Sequence, residues 1–491
     1  MARRQRRARG GSVDLTRYRD VIPGWESFLT AAVEPEPTVF RVRVGRISEA
    51  ALCERLERQG FRVRPVEGLP TFFQVEDGPF PVTLSFEHWH GLIYVQQAST
   101  GAAAPALGAK PGERVLDLCS APGGKTTHIA EMMEDRGCLV ASEIDERRIR
   151  GLLGNVYRLG HPNILVVAGD GRNFPEGALF DRVLVDAPCS GEGTLRRRAG
   201  KPPNQSKSFL GYVTTTQRAL LEKAIQLTRP GGTILYVTCT FAPEENEAVV
   251  SAVLGDGAVE IEPLDLPIPH APGLTAFGEQ RFDPRMVAAA RIYPHHLDSG
   301  GLFMAKLKRV GDAVVDDGWS SVPSAFPGED GSEEEAGELV TRAVEELSGR
   351  YGLDAGSHPE WGWTVRGGRA WLHTVGEWPM ASWGEGAWRP VSIGQRALEF
   401  DTKGRPRPTN DFLRMVGHEL TRGVADLSPA ELTSLLLRER VPTDVEIRGP
   451  IALRHEGDVI GRGAVTVDGL VSEIPKARAA DLKRVLATGS D

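Results

Sequence analysis

The stretch LDLCSAPGGKTT, residues Leu116–Thr127, joins a short apolar run to a glycine-rich turn and then to a segment of helical character. Its ending, Gly-Gly-Lys-Thr, matches the end of a P-loop, but Cys119 stands where that pattern has its first glycine. A loop that follows a strand and opens a helix presents backbone N–H groups and the positive end of the helix dipole to a ligand. The stretch therefore predicts a ligand-binding loop in an α/β fold, and it weighs against a triphosphate as the ligand.

Apolar runs and helical segments alternate around this loop between about residues 112 and 310. Short apolar runs are typical of parallel strands that are covered on both faces. The predicted strands are RVLDL, CLVASEI, ILVVAGD, FDRVLVDAP and TILYVT, and AAARIYPHH and GLFMAKLKR are expected to add antiparallel edge strands. This alternation predicts a doubly wound sheet with its ligand at the carboxyl ends of the strands.

Composition divides the rest of the chain into further units. The expected order is a basic disordered tail at 1–20, a small α+β subdomain at 21–105, the doubly wound domain at 106–310, an acidic linker at 311–335 and a C-terminal region at 336–491. A chain of 491 residues is long enough for several packed domains.

The overall charge and the cysteines exclude several classes of protein. A net charge of -8 argues against a surface that coats nucleic acid throughout, although local basic patches remain. The five cysteines are widely spaced, which disfavours a disulfide framework and a structural zinc site, so no metal is predicted. No apolar run is long enough to span a membrane. The pattern favours a protein of the reducing cytoplasm.

Acidic residues end three successive predicted strands. Glu143, Asp170 and Asp186 follow the second, third and fourth strands, where the fold places its binding crevice. Carboxylates at these points accept hydrogen bonds from ribose hydroxyls, so a nucleoside-containing cofactor is the economical interpretation. The alternative is that each acid only caps a helix.

Two cysteines occupy the same kind of position. Cys189 follows the fourth strand and Cys239 follows the fifth. A single unpaired cysteine is usually a small buried hydrophobe. Two at the mouth of one crevice, near helix starts that lower a thiol's pKa, indicate nucleophilic chemistry. The chemistry alone leaves open which thiol attacks.

The strings LDLCSAPGGKTTHIA, DAPCSGEGTLRR and TCTFAPEENEAVV resemble successive motifs of the Nol/Nop/Sun family of RNA cytosine-5 methyltransferases. The flanking GLIYVQQAST and RIYPHHLDSGGLFMAKLKR resemble that family as well, and coverage runs from about residue 30 to 310. Ser120, Glu143 and Thr240 depart mildly from the family pattern, without loss of a needed functional group. The resemblance implies a Rossmann-like, S-adenosylmethionine-dependent domain with a seven-stranded, mostly parallel sheet.

The resemblance also implies roles for individual residues. Carbon-5 of cytosine is a poor nucleophile until a thiolate adds to carbon-6, and the family pattern gives that step to Cys239. Asp186 is expected to hydrogen-bond the base near nitrogen 3, and Cys189 to assist release as, or through, a general base. Lys125 is expected to pair with the methionine carboxylate or with an RNA phosphate. The implied cofactor contacts are Cys119, Ser120, Ala121, Pro122, Gly123, Gly124, Lys125, Glu143, Asp170 and Asp186.

Candidate RNA contacts lie outside the crevice. Arg196, Arg197 and Arg198 are expected to grip phosphates, the alternative being a solvated arginine run. The chain's ending resembles the PUA-like domain of bacterial 16S rRNA methyltransferases of the RsmF type, with a basic cluster of Lys476, Arg478, Lys483 and Arg484. Six tryptophans between Trp361 and Trp388 are expected to form a small core in preference to stacking on bases.

The sequence thus predicts methylation of cytosine carbon-5 in RNA, with 16S ribosomal RNA favoured as the target. The alternatives are a tRNA cytosine-5 methyltransferase, a non-catalytic RNA-binding assembly factor, and a P-loop nucleotide hydrolase. The expected partner is ribosomal RNA or the small ribosomal subunit, the expected state is a monomer without membrane association, and the expected location is the cytoplasm.

Overall fold

The computed structural model describes residues 15–198, 206–312, 318–326, 332–379 and 388–488. The arginine-rich part of the predicted tail, up to residue 14, lies outside these ranges. Residues 15–20 are not a disordered tail, because Thr16–Tyr18 forms a 3-10 turn and the Tyr18 side chain is buried. Tyr18 packs in an aromatic cluster with Phe28 and Phe241, so residues 15–20 belong to the packed part of the chain.

The first unit is an α+β fold built on one antiparallel sheet. Its elements are α1 (Trp25–Val33), β1 (Val39–Val42), α2 (Glu49–Arg58), β2 (Arg62–Pro65), β3 (Phe72–Asp77), α3 (Phe86–Trp89) and β4 (Ile93–Val95). The strands pair in the order β2-β3-β1-β4. The Ser48 side chain caps α2 by accepting the Ala51 N–H, and Leu52 and Leu56 on that helix pack in the core of this unit.

The central unit carries the alternating strands and helices. Its elements are α4 (Ala103–Leu107), β5 (Arg114–Asp117), α5 (Gly124–Met132), β6 (Cys138–Glu143), α6 (Glu146–Leu159), β7 (Ile164–Ala168), β8 (Phe180–Asp186), α7 (Lys207–Leu227), β9 (Thr228–Thr238), α8 (Glu247–Leu254), β10 (Val259–Glu262), β11 (Ala271–Pro272), β12 (Ala276–Phe277), β13 (Gln280–Arg281), β14 (Ala290–Ile292), α9 (Pro294–Leu297) and β15 (Leu302–Arg309).

The sheet of this unit has the predicted Rossmann-like architecture. Seven strands lie in the order β14-β15-β9-β8-β5-β6-β7. The five from β9 to β7 are parallel, whereas β15 pairs antiparallel with β9, and β14 with β15, as the edge-strand prediction required. The short strands β10 and β11 extend the sheet by pairing with β15 and β14. The fold-class prediction is therefore confirmed.

Helices cover both faces of the sheet, which explains the continuous apolar runs of its strands. Neighbouring residues on a strand point to opposite faces. Val140 and Leu165 belong to the core on one face, whereas Leu139 and Val166 belong to the core on the other. All four side chains are fully buried. With its sides covered in this way, the sheet offers its polar groups only at the strand ends.

The C-terminal region combines three small sheets with helices. Its elements, counted from the segment that precedes it, are β16 (Trp319–Ser321), α10 (Glu333–Tyr351), β17 (Gly362–Arg366), β18 (Arg369–His373), β19 (Glu377–Pro379), β20 (Arg389–Ile393), β21 (Gln395–Phe400), β22 (Pro406–Pro408), α11 (Asn410–Met415), β23 (Val424–Asp426), α12 (Pro429–Leu436), β24 (Gly449–His455), β25 (Asp458–Thr466), β26 (Gly469–Ser472) and α13 (Lys476–Thr488). The sheet orders are β17-β18-β21-β22 and β23-β24-β25-β26, and β16 pairs with β19. None of the helices described is long and apolar enough to cross a bilayer.

One strand of the C-terminal region belongs to the central sheet. Strand β20 pairs antiparallel with β7 and so covers the edge that ends the parallel strands. Trp388, just before β20, packs its ring against Phe174 at 4.7 Å between centroids and donates its indole N–H to the Asn173 carbonyl at 3.0 Å. A side chain at Gly169 would overlap that ring, since an added Cβ would lie 2.5 Å from it.

The tryptophan cluster contributes to packing. Trp371, Trp378 and Trp388 are buried, Trp361 and Trp363 are partly buried, and Trp383 lies outside the described residues. The three buried rings join the core of the central sheet, so they attach the C-terminal region to it.

Within the segment 311–335, residues 318–326 pack against the central unit, whereas residues 333–335 already belong to α10 and not to a linker. Trp319 donates its indole N–H to the Leu179 carbonyl at 3.1 Å, and its ring meets Phe180 edge-on. Residues 318–326 of the predicted linker therefore follow the surface of the central sheet.

Candidate active site

The glycine-rich loop connects β5 to α5 at the carboxyl end of the sheet. The Ser120 hydroxyl donates to the Ser142 carbonyl at 2.7 Å, which ties the loop to β6. Arg148 of α6 donates to the Ala121 carbonyl. Contacts from two neighbouring elements thus fix the loop's path before any ligand binds.

Asp117, the last residue of β5, holds this loop by hydrogen bonds. It was not among the candidate residues selected from the sequence. Its Oδ2 accepts a hydrogen bond from Thr126 Oγ1 at 2.7 Å, and its Oδ1 accepts the Cys119 N–H at 3.3 Å. The residue is 1% exposed. Burial outweighs the hydrogen bonds and raises the pKa of the Asp117 carboxyl to about 7. An acid inside the apolar run RVLDL is the signal that could have revealed it.

Two glycines in the loop are required by close packing. Gly123 has a φ of +105°, and a Cβ there would lie 2.9 Å from Leu152 Cδ1. A Cβ on Gly124 would lie 3.1 Å from the ring of Tyr94 in β4. Both positions therefore suit glycine because the loop passes closely over its neighbours.

Glu143 ends β6 beside the loop and is 2% exposed. Its Oε1 accepts the backbone N–H groups of Ile144 and Asp145, each at 3.0 Å. Its Oε2 lies 3.0 Å from Nη1 of Arg148 but accepts no well-aligned hydrogen bond. A buried carboxylate oxygen with free acceptor capacity fits a ribose hydroxyl, so the residues present suit a nucleoside cofactor.

Asp170 ends the turn after β7 and is already paired. It caps a 3-10 turn by accepting the Arg172 N–H at 3.1 Å, and both carboxylate oxygens face the Arg172 guanidinium. The hydrogen bonds from Arg172 lower the pKa of Asp170. Asp170 therefore caps a turn and also lies at the end of a strand.

Lys125 and Asp186 form an ion pair across the crevice. The Lys125 Nζ lies 2.7 Å from Asp186 Oδ2, with the two side chains 12% and 29% exposed. Burial alone lowers the pKa of Lys125, but the Asp186 carboxylate more than offsets it and the net pKa is raised. The expected partner of Lys125 was a ligand carboxylate or a phosphate, and its pairing with Asp186 was not predicted from the sequence. The adjacency of β5 and β8 is what brings the two residues together.

The two candidate thiols are in direct contact. Cys189 Sγ and Cys239 Sγ lie 3.2 Å apart, although 50 residues separate them in the chain. They follow β8 and β9, which are parallel neighbours in the sheet. The structure therefore brings together the loop, the acid and the two cysteines that the sequence analysis selected.

The contact makes the two thiols unequal. A hydrogen bond from Cys189 lowers the pKa of Cys239, and Lys125 adds to that effect, whereas burial and Asp186 oppose it. The same hydrogen bond, together with burial, raises the pKa of Cys189. Burial also raises the pKa of Cys119, which packs against the sheet core. Cys239 is thus the thiol best suited to be a thiolate, and Cys189 is its hydrogen-bond donor.

Arg196 and Arg197, which follow the Cys189 motif, lie in different environments. Arg196 has a side chain 2% exposed, and it donates to the carbonyls of Glu34 and Pro35 and pairs with Asp298. It is therefore a structural residue and not a phosphate grip. Arg197 is half-exposed and pairs with the buried Glu36. The Arg198 side chain lies outside the described residues.

The four basic residues of the cluster near the end of the chain also differ in exposure. Lys476, Lys483 and Arg484 are exposed. Arg478 instead packs over the ring of Trp89, 4.9 Å from the ring centroid, and is mostly buried. Three of the four cations thus remain on the surface, and the fourth joins the C-terminal region to the first unit.

Three buried polar residues near the thiols were not predicted from the sequence. Glu192, Gln217 and Glu245 are buried and form hydrogen bonds around the segments that carry Cys189 and Cys239. Acids within the strings CSGEGT and TFAPEENE were the available signal, but strand order was needed to bring them together.

Comparison with known proteins identifies relatives for most of the chain. The family model described as 16S rRNA methyltransferase RsmB/F matches residues 104–308. The ribosomal RNA small subunit methyltransferase F of Vibrio campbellii is 30% identical over 487 residues, which cover 94% of this chain and 96% of that protein. The human 28S rRNA (cytosine(4447)-C(5))-methyltransferase is 32% identical over 326 residues, but the match covers 65% of this chain and only 40% of the human protein.

Solved structures match more than half of the chain. A methyltransferase homologue from Pyrococcus horikoshii is 34% identical with a TM-score of 0.53, over 58% of this chain and 90% of that one. The NSun6 protein from Pyrococcus horikoshii, solved with SFG, is 22% identical with a TM-score of 0.52, over 60% of this chain and 97% of that one, which is a likeness of fold.

Proposed function

The chain belongs to the RsmB/F family of 16S rRNA methyltransferases, and on that premise we propose that it transfers the methyl group of S-adenosylmethionine to carbon-5 of a cytosine in 16S ribosomal RNA. The observation that carries the proposal is the pair of thiols 3.2 Å apart beside the Lys125–Asp186 ion pair. A covalent cytosine-5 methyltransferase needs one thiolate, one further proton-handling group and one polar contact to the base, and these groups meet here.

The cofactor would lie along the strand ends that carry the glycine-rich loop. Residues 119–125 would line its path, Glu143 would accept hydrogen bonds from the ribose hydroxyls, and Asp170 would contact the adenine edge. The free acceptor capacity of Glu143 Oε2 supports the ribose contact. The bound cofactor supplies an electrophilic methyl group on a sulfonium. Asp186 borders both the cofactor and the base.

Cys239 is the attacking nucleophile in this proposal. Its thiolate forms a bond to carbon-6 of the cytosine, and the electron pair displaced from the ring makes carbon-5 able to take up the methyl group. The Asp186 carboxylate, which is paired with Lys125, accepts a hydrogen bond from the amino group on carbon-4. The Lys125 ammonium supplies the positive charge that offsets the negative charge developing near nitrogen 3.

Cys189 changes role during the reaction. In the free protein it donates its S–H to Cys239 Sγ, and that bond is the first cause of its raised pKa. When Cys239 bonds to carbon-6 it no longer offers a negative sulfur, so this cause disappears and the pKa of Cys189 falls. Cys189 then releases its own proton to solvent, and its thiolate takes the proton from carbon-5, directly or through water, while Cys239 leaves with the electron pair of its bond.

The RNA would approach over the exposed side of the crevice. Arg197, half-exposed and held by Glu36, is placed to contact a phosphate near the target base. The exposed Lys476, Lys483 and Arg484 extend the phosphate contacts to the C-terminal region. We propose that 15–105, 106–310 and 333–491 act as three units joined through 311–332, in a monomer that works in the cytoplasm.

The test measures transfer of labelled methyl groups to unmethylated 16S ribosomal RNA by the full chain. Wild type and Cys53→Ala should transfer label, because Cys53 lies on α2 away from the site, and Cys239→Ala should transfer none. Bisulfite sequencing of the product should find one or a few protected cytosines. Full turnover by Cys239→Ala would end the proposed mechanism.

The alternatives predict different results in the same assay. A tRNA enzyme would label transfer RNA in place of 16S RNA. A non-catalytic assembly factor would bind RNA without transferring label. A nucleotide hydrolase would bind ATP but not S-adenosylmethionine in calorimetry, an outcome that the Cys119 position in the loop disfavours.

A further inference from the structure

The two segments that carry the thiols are joined by a buried polar network. One segment, the Cys189 loop, spans residues 187–193, and the other, the Cys239 loop, spans residues 239–246. The network consists of Ser190, Glu192, Gln217, Thr240 and Glu245, which are buried in the structure. Each loop contributes one carboxylate, and each carboxylate binds backbone groups of the other loop.

Glu245 reaches from the Cys239 loop to both sides of Cys189. Its Oε2 accepts the Ser190 N–H at 2.9 Å, immediately after that cysteine. The same oxygen accepts the Gln217 side-chain amide at 3.0 Å, and that amide also donates to the Pro188 carbonyl at 2.9 Å. The residues before and after Cys189 are therefore held by one carboxylate and one amide.

Glu192 makes the reciprocal connection from the Cys189 loop. Its Oε2 accepts the Phe241 N–H at 3.2 Å and the Thr240 hydroxyl at 3.2 Å, just after Cys239. The Tyr18 hydroxyl donates to the same carboxylate at 2.8 Å. The Ser190 and Thr240 hydroxyls lie 2.8 Å apart and close the network between the loops.

We propose that Glu192 and Glu245 are positioning residues, which hold the two loops so that Cys189 stays within hydrogen-bonding distance of Cys239. The inference rests on the proposed function, because it concerns the two thiols of that reaction. The effect of the two carboxylates is geometric, and it passes through the hydrogen bond that Cys189 donates to Cys239.

A matched pair of substitutions at one position tests this role. In Glu245→Gln the side-chain carbonyl can occupy the place of Oε2 and still accept from Ser190 and Gln217, so the loops stay joined. In Glu245→Met a side chain of similar size fills the space, but it accepts neither bond. A second variant, Gln217→Met, removes the donor to Pro188 and so provides the same test without altering either loop.

The measurement is the alkylation rate of Cys239 by iodoacetamide from about pH 5 to about pH 10, with each cysteine followed by mass spectrometry. The full chain is used without RNA or cofactor. Charged and titratable groups that act on Cys239 are Cys189, Asp186, Lys125 and Glu245. Glu245→Met should slow alkylation at neutral pH about tenfold, which corresponds to about one unit of pKa. Glu245→Gln should react at the wild-type rate or somewhat faster, because it keeps both hydrogen bonds and loses a charge that raises the pKa of Cys239.

The direction of the change in the Cys239 alkylation rate distinguishes a positioning role of Glu245 from a direct effect of its charge. Glu245 as a bare negative charge raises the pKa of Cys239, so removing the charge alone would speed alkylation in both variants. In a Cys189→Ala background, Glu245→Met should add no further slowing, because the hydrogen bond is already gone. Equal rates for the Gln and Met variants, or slowing that persists without Cys189, would overturn the inference.

A folding control and the choice of assay make the result interpretable. Thermal unfolding of each variant identifies any that fails to fold, and Gln217→Met then replaces Glu245→Met. Because the alkylation assay needs no methyl transfer, it gives a result even if the protein methylates no RNA. A wild-type protein without transferase activity would overturn the proposed function, whereas the alkylation rates alone decide the positioning role.

Discussion

Replacing Asp117 with asparagine should stabilise the protein, and more so as the pH rises. Asp117 is buried beneath the glycine-rich loop, and its carboxyl pKa is raised to about 7 by burial. In Asp117→Asn the amide oxygen can accept the Cys119 N–H. The amide nitrogen can donate to Thr126, whose hydroxyl is already 3.2 Å from the Ser120 carbonyl and can donate there. The loop's hydrogen bonds therefore survive the change.

The magnitude follows from the difference between the folded and unfolded pKa values of Asp117, about 7 and 3.8. A raised pKa means that the folded state binds the proton more tightly. Its contribution to stability is therefore fully present below the unfolded pKa and is lost as the pH rises through the folded pKa. At 1.36 kcal/mol per unit, the full cost of the carboxylate is about 4 kcal/mol, of which about 2.5 kcal/mol develops between pH 5 and pH 8.

Urea unfolding of wild type and Asp117→Asn at pH 5 and pH 8 measures this difference. The free energy of unfolding of the variant should gain about 2.5 kcal/mol on wild type between the two pH values. Asp145→Asn is the matched control, because hydrogen bonds from the backbone N–H groups of Arg147 and Arg148 lower the pKa of that carboxyl and its charge carries no such cost. A gap between wild type and Asp117→Asn that stays constant, or narrows as the pH rises, would refute the reasoning.

Three further substitutions test separate parts of the site. Lys125→Met should lower kcat/KM for methyl transfer by 10- to about 100-fold in steady-state assays, since a hydrogen bond to a charged group contributes about 1.5–3 kcal/mol; an unchanged rate would remove the Lys125–Asp186 pair from the mechanism. Glu143→Gln should weaken S-adenosylmethionine binding about tenfold in calorimetry, as expected for one lost charge-assisted hydrogen bond, and unaltered affinity would speak against a ribose contact. Trp388→Ala should reduce the free energy of unfolding by about 3 kcal/mol in urea, because it empties the space against Phe174, and a smaller loss would mean that β20 is not anchored by this ring.

The parts of the structure that the sequence predicted are those with a local signal. The strands of the parallel sheet appear as apolar runs, and their polar ends carry Glu143, Asp170 and Asp186. The rule that ligands bind at the carboxyl ends of parallel strands was therefore enough to bring Cys189 and Cys239 to one crevice. The family resemblance assigned the attack to Cys239 and the release step to Cys189, an assignment that the chemistry of thiols leaves open.

The parts that the sequence did not predict depend on contacts between distant segments. Strand β20 joins the central sheet through pairing with β7, and nothing within RPVSI indicates that partner. The burial of Arg196 depends on carbonyls of residues 34–35, which lie more than 150 positions away in the chain. Lys125 has a protein partner only because β5 and β8 are adjacent. In each case the physical cause is tertiary, and sequence pattern alone carries no trace of it.

The most direct test of the central claim uses the Cys189→Ala variant with S-adenosylmethionine and unmethylated 16S ribosomal RNA. Without Cys189 the methylated adduct cannot readily lose its carbon-5 proton, so a covalent protein–RNA complex should accumulate as a retarded band on a denaturing gel. Mass spectrometry should place the bond between Cys239 Sγ and carbon-6 of a methylated cytosine. The account would be contradicted by normal turnover without any complex, or by a complex joined through a residue other than Cys239.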